Sequence, residues 1–161
     1  MPDKISLNDI VESGFGSLRE RRDFQTEFCL DDGMPKVYTP EAPNKRYVLY
    51  SVQQAIIIHL VQEYETHGKG DRRITTTIVE NTQILQLDHC GEHILSDEIQ
   101  FLNETLRKIS DGEEVDGGRF RASGNNMAAR GLREQHGFMV YENIQDGQYR
   151  VRCTVTLPLI Q

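Results

Sequence analysis

Residues 88 to 93 read Asp-His-Cys-Gly-Glu-His, which puts five potential metal-ligating side chains into six positions. Zinc takes nitrogen and sulfur donors, so His89, Cys90 and His93 are the set such a site would use, although a structural zinc normally has four ligands in spaced pairs. The competing reading is a polar loop. A second constellation lies earlier, where His59 and Glu63 fall on or beside an otherwise apolar helical stripe, with Gln62 between them. Buried polar groups need partners, and Glu63 could hold a cation or pair with a base. The third is Gly124-Asn125-Asn126 ahead of a short helical pattern. Glycine before a helix amino terminus lets backbone N–H groups point at a phosphate, and asparagine tolerates left-handed geometry better than most side chains. Arg119, Arg121, Arg130 and Arg133 make this segment locally basic, which suits phosphate but suits equally the nearby Asp111, Glu113, Glu114 and Asp116. No Ser-His-Asp order, Walker loop or paired-carboxylate signature occurs.

The elements that must position these groups follow from periodicity. Ser6 and Asp9 have capping-box spacing, and Leu7, Ile10, Val11, Phe15 and Leu18 recur helically, which predicts a helix over about 7 to 22. Phe24, Thr26, Phe28 and Leu30 alternate with Gln25, Glu27 and Cys29 as in a half-buried strand, and Pro35, Pro40 and Pro43 hold an extended connector. Asn44 is a candidate cap for a long helix carrying Val48, Val52, Ala55, Ile56, His59, Leu60 and Glu63, stopping near His67-Gly68. A hairpin is predicted over about 73 to 88, turning at Glu80-Asn81. Ser96 can cap a helix bearing Ile99, Leu102, Leu106 and Ile109. A glycine-rich, acidic stretch precedes a short helix from Met127 to Gln135, and a second hairpin joins Phe138–Asn143 to Tyr149–Leu157. Helices and strands segregated in this way imply a two-layer α+β sandwich, with helices on one face of a mixed, mostly antiparallel sheet.

The 161 residues suit one domain, 1 to 161, which would bury about 70% of its unfolded surface. A net charge of −7 argues against nucleic acid or an anionic membrane as partner. The longest apolar run falls far short of the roughly 20 residues of a membrane helix, so no membrane insertion is expected. Asp3, Lys4, Asp9 and Glu12 stand where a secretory signal would be apolar, which predicts a cytoplasmic protein. Three widely spaced cysteines, Cys29, Cys90 and Cys153, read as packed thiols.

The element order and the motifs together resemble the ATP-binding catalytic domain of sensor histidine kinases, the GHKL or Bergerat fold, over roughly residues 5 to 160. Ile56–Glu63 with His67-Gly68 is similar to the asparagine-box helix. Leu85-Gln86-Leu87-Asp88, then Gly91 and Ile94, resembles the strand and loop of the Asp-x-Gly-x-Gly box. Gly124-Asn125-Asn126-Met127, Arg130 and the closing Leu157-Pro158 look like the lid glycine box and the terminal strand.

The resemblance assigns Asp88 to the acceptor facing the adenine amine, a role suited to a carboxylate, which offers acceptors only. It assigns Gly91 and His93 to the glycines beneath the base, with one residue inserted after Asp88. Gln62 and Glu63 take the places of the catalytic Glu and Asn, and Glu63 that of the magnesium ligand. A slipped alignment would put Gln54 and Ile58 there instead. Gly124, Asn126 and Arg130 fall in a lid of about residues 110 to 126 that would close on the phosphates. The implied cofactor is ATP or ADP with magnesium. The implied partners are a histidine-phosphotransfer dimerisation domain or a response-regulator receiver domain. Only one short helix precedes the first strand, so phosphorylation of an internal histidine is not expected. The departures at the asparagine and at the glycines leave two readings: a degenerate pseudokinase of two-component signalling that docks a partner, or a working module that phosphorylates a histidine on a separate domain. A metal or small-molecule sensor using the same cavity is a third.

Overall fold

Ser6 and Asp9 close the capping box that their spacing predicts: the Ser6 Oγ accepts from the Asp9 amide at 3.1 Å and the Asp9 carboxylate accepts from the Ser6 amide at 2.8 Å. In the computed structural model, which describes residues 3–20, 24–62, 70–113 and 123–159, this cap opens helix α1 (Leu7–Phe15). A 3-10 segment, Gly16–Glu20, continues the predicted first helix, whose expected last two residues lie outside the described ones. Helix α2 (Pro43–Ile56) starts two residues earlier than Asn44 would set it, because Ala42 is its cap and Pro43, whose ring pre-sets helical φ, takes the first turn. It continues as a π-helical segment, Ile57–Gln62, and its predicted end at His67-Gly68 lies outside the described residues. Helix α3 is Ser96–Ser110, with Leu95 rather than Ser96 at its cap. Helix α4 is Ser123–Arg133, beginning four residues before the predicted Met127 and so taking in Gly124 and Asn126.

The strands are β1 (Ile5–Ser6), β2 (Thr26–Cys29), β3 (Lys36–Tyr38), β4 (Arg72–Val79), β5 (Thr82–His89), β6 (Phe138–Asp146) and β7 (Tyr149–Pro158). Five of them form one sheet in the order β2-β4-β5-β7-β6; β2 runs parallel to β4 and every other pair is antiparallel. This is the mixed, mostly antiparallel sheet that the sequence predicts. The β1–β3 ribbon is additional, formed where the proline-bearing connector returns past the start of α1.

The four described helices pack on one face of the sheet. Val48, Val52, Ala55 and Ile56 of α2, Leu106 and Ile109 of α3, and Ala128 and Leu132 of α4 meet Ile74, Leu85, Leu87, Cys153, Val155 and Leu157 from the strands. Helices α2 and α4 cross closely at Gly131, where an added Cβ would run into the Ser51 Oγ and oblige that hydroxyl to turn aside. At the sheet edge, the Asn103 amide of α3 bonds both backbone groups of Tyr141 in β6, each at 2.8 Å. Among the described residues no helix is long and apolar enough to cross a membrane. Cys29 and Cys90 are half-buried and Cys153 is buried, all three unbridged.

Candidate functional site

Side chains alternate across a strand, and in β5 the alternation decides the chemistry of the site. Gln83, Leu85, Leu87 and His89 are buried, Leu85 and Leu87 within the core beneath the helices. Asp88, one step out of phase, belongs to the opposite face. There it is flanked in register by Arg73 of β4 and Arg152 of β7. Its Oδ1 accepts from Arg152 Nε at 2.7 Å, and its Oδ2 accepts from Arg73 Nε at 2.9 Å and from the second nitrogen of Arg152's fork at 3.2 Å. Glu27 stands opposite Arg73 and Glu142 opposite Arg152, so charge alternates in sign across all five strands. Asp146 adds a 2.6 Å contact to Arg73, whose guanidinium holds the Asp146 carboxyl below its ordinary value. The Asp88 side chain has no exposed surface, and both of its oxygens are engaged.

His89 takes the helix-facing place at the end of the strand. Its ring centroid lies 4.5 Å from that of His59, which the π-helical segment presents from above, and the Tyr141 ring meets His59 edge-on at 5.2 Å. The Gly91 amide donates to His89 Nδ1 at 2.9 Å, so that nitrogen is unprotonated. His59 is 1% exposed and its Nε2 has no hydrogen-bond partner. Burial, reinforced by His89, holds the His59 imidazole well below the ordinary histidine range, and the Val151 and Leu87 carbonyls oppose this only in part. Beside the pair, the buried Arg72 donates from Nε to the Leu60 carbonyl at 2.9 Å and from another nitrogen to the Gly70 carbonyl at 2.8 Å, tying the end of the π-helical segment to the start of β4.

The other expected site residues are dispersed. Glu63 lies outside the described residues, and Gln62 is described only as the last residue of the π-helical segment. Gly91 is buried in the loop after β5, whereas His93 is exposed, with Nε2 3.0 Å from the Ile144 carbonyl. Gly124 and Asn126 belong to the first turn of α4 and Arg130 is exposed on the same helix. The lid expected to reach residue 126 is therefore helical from Ser123. Helix α4 meets α2 at Tyr50 and Ser51, through Met127 and Gly131, roughly 16 Å of helical rise short of Gln62. Within the 88–93 cluster, His89 turns into the core, the Cys90 Sγ donates to the Asp71 carbonyl and His93 turns to β6. Among the described residues no three His, Cys, Asp or Glu side chains converge as metal ligands. A cleft of about 530 Å³ lies elsewhere, between the carboxyl ends of α3 and α4 at Ser110, Asp111, Arg133 and His136.

No family model matches the chain, and no curated protein matches it in sequence. Solved structures do match in fold. A mycobacterial sensor histidine kinase, MprB, superposes with a TM-score of 0.63 at 11% identity, over 96% of each chain. The catalytic domain of the histidine kinase ThkA, in a nucleotide-free form, gives 0.60 at 18% identity over 98% of this chain and 96% of that one. The fold is that of a histidine kinase catalytic domain. Full-length ShkA in complex with AMPPNP matches at 0.58 and 10% identity, over 94% of this chain and 29% of the other.

On this histidine kinase fold, the inward-facing residue at the end of β5 is His89, which the sequence reading took only as a candidate zinc donor in a polar loop. The Asp-x-Gly-x-Gly spacing, counted from the inward-facing position, falls without insertion on His89-Cys90-Gly91-Glu92-His93. The signal was the alternation Leu85, Leu87, His89, obscured because Ile84 and Leu85 are both apolar and leave the phase of the strand open.

Proposed function

We infer that this chain is a signalling module built on the histidine kinase catalytic fold, whose nucleotide site is degenerate and which acts by docking a partner: a histidine-bearing dimerisation hairpin or a receiver domain. One observation carries the reading. At the inward-facing end of β5, where an adenine amine would need an acceptor, stands His89, and its Nδ1 already accepts from Gly91. A neutral imidazole has one acceptor nitrogen, so the remaining nitrogen of His89 can only donate. Asp88, the carboxylate next to it, is buried on the other face between two arginines. The absence of asparagine between Asn44 and Asn81 adds to this, because Gln62 and Glu63 stand where the resemblance puts the Glu and the magnesium-holding Asn.

The test is titration calorimetry of the full chain with ATP and ADP, with and without magnesium, followed by thermal shift. The expected result is no heat and no shift at millimolar nucleotide. Micromolar, magnesium-dependent binding would overturn the reading in favour of a working module, in which Glu63 holds magnesium and Gly124, Asn126 and Arg130 attend the phosphates. Phosphate transfer to a histidine hairpin supplied in trans would then establish its activity.

A further inference from the structure

The two imidazoles join the end of α2 to the end of β5, beside the tie that Arg72 makes from β4 to the Leu60 carbonyl. His59 lies in a π-helical segment, a geometry in which the backbone bonds of the helix are widened and which occurs mostly as short interruptions of α-helices, frequently at functional sites. His89 ends β5 and holds the next loop through the Gly91 amide. Both rings are buried, at 1% and 5% exposure. The contact requires both rings to be neutral. A proton on His89 Nδ1 would remove the acceptor of the Gly91 N–H, and a proton on His59 Nε2 would place a charge on a buried nitrogen that lacks an acceptor.

The surroundings offer such a charge little relief: the Val151 and Leu87 carbonyls favour it, but burial, His89 and Arg72 outweigh them. Among the described residues, the titratable and charged groups facing the pair are Tyr141 of β6, Cys153 of β7, which is hydrogen-bonded to Tyr141, and the cationic Arg72 of β4. The buried side chains of α3 and α4, among them Thr105, Leu106, Ile109, Ala128 and Leu132, carry no titratable group. Asp88 belongs to the other face, engaged by Arg73 and Arg152.

We propose that His59 and His89 form a proton-operated latch between the end of α2 and the loop after β5, closed while both rings are neutral and opened as acid charges them. The opened rings titrate as ordinary histidines, near pH 6.5, whereas the closed rings resist protonation. Opening therefore rises as pH falls below about 6.5, by about tenfold per pH unit for one imidazole and about a hundredfold if both take up protons. The latch is independent of whether the fold binds nucleotide.

Amide hydrogen exchange on the full chain between pH 7.5 and 5.0, corrected for the intrinsic pH dependence of exchange, reads it directly. Protection of the Gly91 amide should be constant above about pH 6.5 and fall at least tenfold per unit below it, while amides in the middle of β7 keep theirs. In His59→Phe/His89→Gln the Gly91 profile should be flat, the glutamine carbonyl serving as acceptor. A wild-type slope in that double variant would assign the effect to other histidines and overturn the proposal, as would pH-independent protection in the native chain. Should the variant fail to fold, ring nitrogen chemical shifts of the native protein decide the matter. Two histidines should stay neutral well below pH 6.5 in the closed state, and rings that titrate there like exposed histidine would refute the latch.

Discussion

Asp88 and His89 are neighbours in sequence and opposites in environment. On the open face of the sheet, the Asp88 carboxylate is matched by two guanidinium groups, and every charge in its row has a neighbour of the other sign. On the helix face, His89 meets a second imidazole, and one nitrogen of that pair has no partner. The first arrangement is stable because its charges are present and paired. The second is stable only while its charges are absent. One pleat step thus separates a network that loses by removal of a charge from a contact that loses by gain of one, and the two should fail under different perturbations.

The largest expected effect is Asp88→Ala. Removing a fully buried carboxylate leaves Arg73 and Arg152 facing one another, and loss of one partner of a buried ion pair costs about 3 to 5 kcal/mol. Both arginines keep partial solvent access and Arg73 keeps Asp146, so about 3 kcal/mol is expected, read from urea unfolding at pH 7. A loss below about 1 kcal/mol would mean that the ladder is no more than solvated surface charge. Next is Gly131→Ala, a test of how rigidly the helix layer holds α2 above the histidines. Its Cβ runs into the Ser51 Oγ, and an overpacking cost of about 2 kcal/mol, offset by about 1 kcal/mol from replacing a helical glycine, leaves a net loss of about 1 kcal/mol. Ser51→Ala should recover part of this in a double-mutant cycle, since it removes both the obstruction and a buried hydroxyl without a partner.

The third test sets the two regions against each other by pH. Because the folded-state pKa of His59 lies below its unfolded value, its contribution is fully present above about pH 6.5 and is lost as pH falls below that, at up to about 1.4 kcal/mol per unit. Asp146 has its folded pKa depressed as well, but from a carboxylate value, so the Arg73–Asp146 contact weakens only below about pH 4. Urea midpoints should therefore decline in two separate acid limbs. The smallest effect belongs to His59→Phe at pH 7, expected within about 1 kcal/mol of the native chain because an apolar ring replaces a buried polar group that lacks a partner. The same variant should shorten the upper acid limb and leave the lower one unchanged.

Most of the architecture is legible in the sequence for local reasons. The Ser6–Asp9 capping box, the Glu80-Asn81 turn and the apolar spacing of Ile99, Leu102, Leu106 and Ile109 are short-range signals, and each appears in the structure where its residues put it. The β1–β3 ribbon is not legible, since strands of two and three residues have no period to read. The start of α2 turned on Pro43 over Asn44, a competition between a preset backbone and a side-chain cap. The inward-facing end of β5 was the least legible part, because it depends on the phase of one strand. With Ile84 and Leu85 both apolar, alternation alone allowed either Asp88 or His89 to face inward, and a carboxylate at a strand end invites the first choice. Helices packed over Leu85 and Leu87 settled the second.

The Asn103 amide, bonded to both backbone groups of Tyr141, has a consequence for assembly. An edge strand with free donors and acceptors is a template on which another chain can lengthen the sheet. Here the outer edge of β6 is occupied at its middle by a side chain of the same molecule. Growth of the sheet is blocked at that margin, so recruitment of another protein there by strand addition would first have to displace α3.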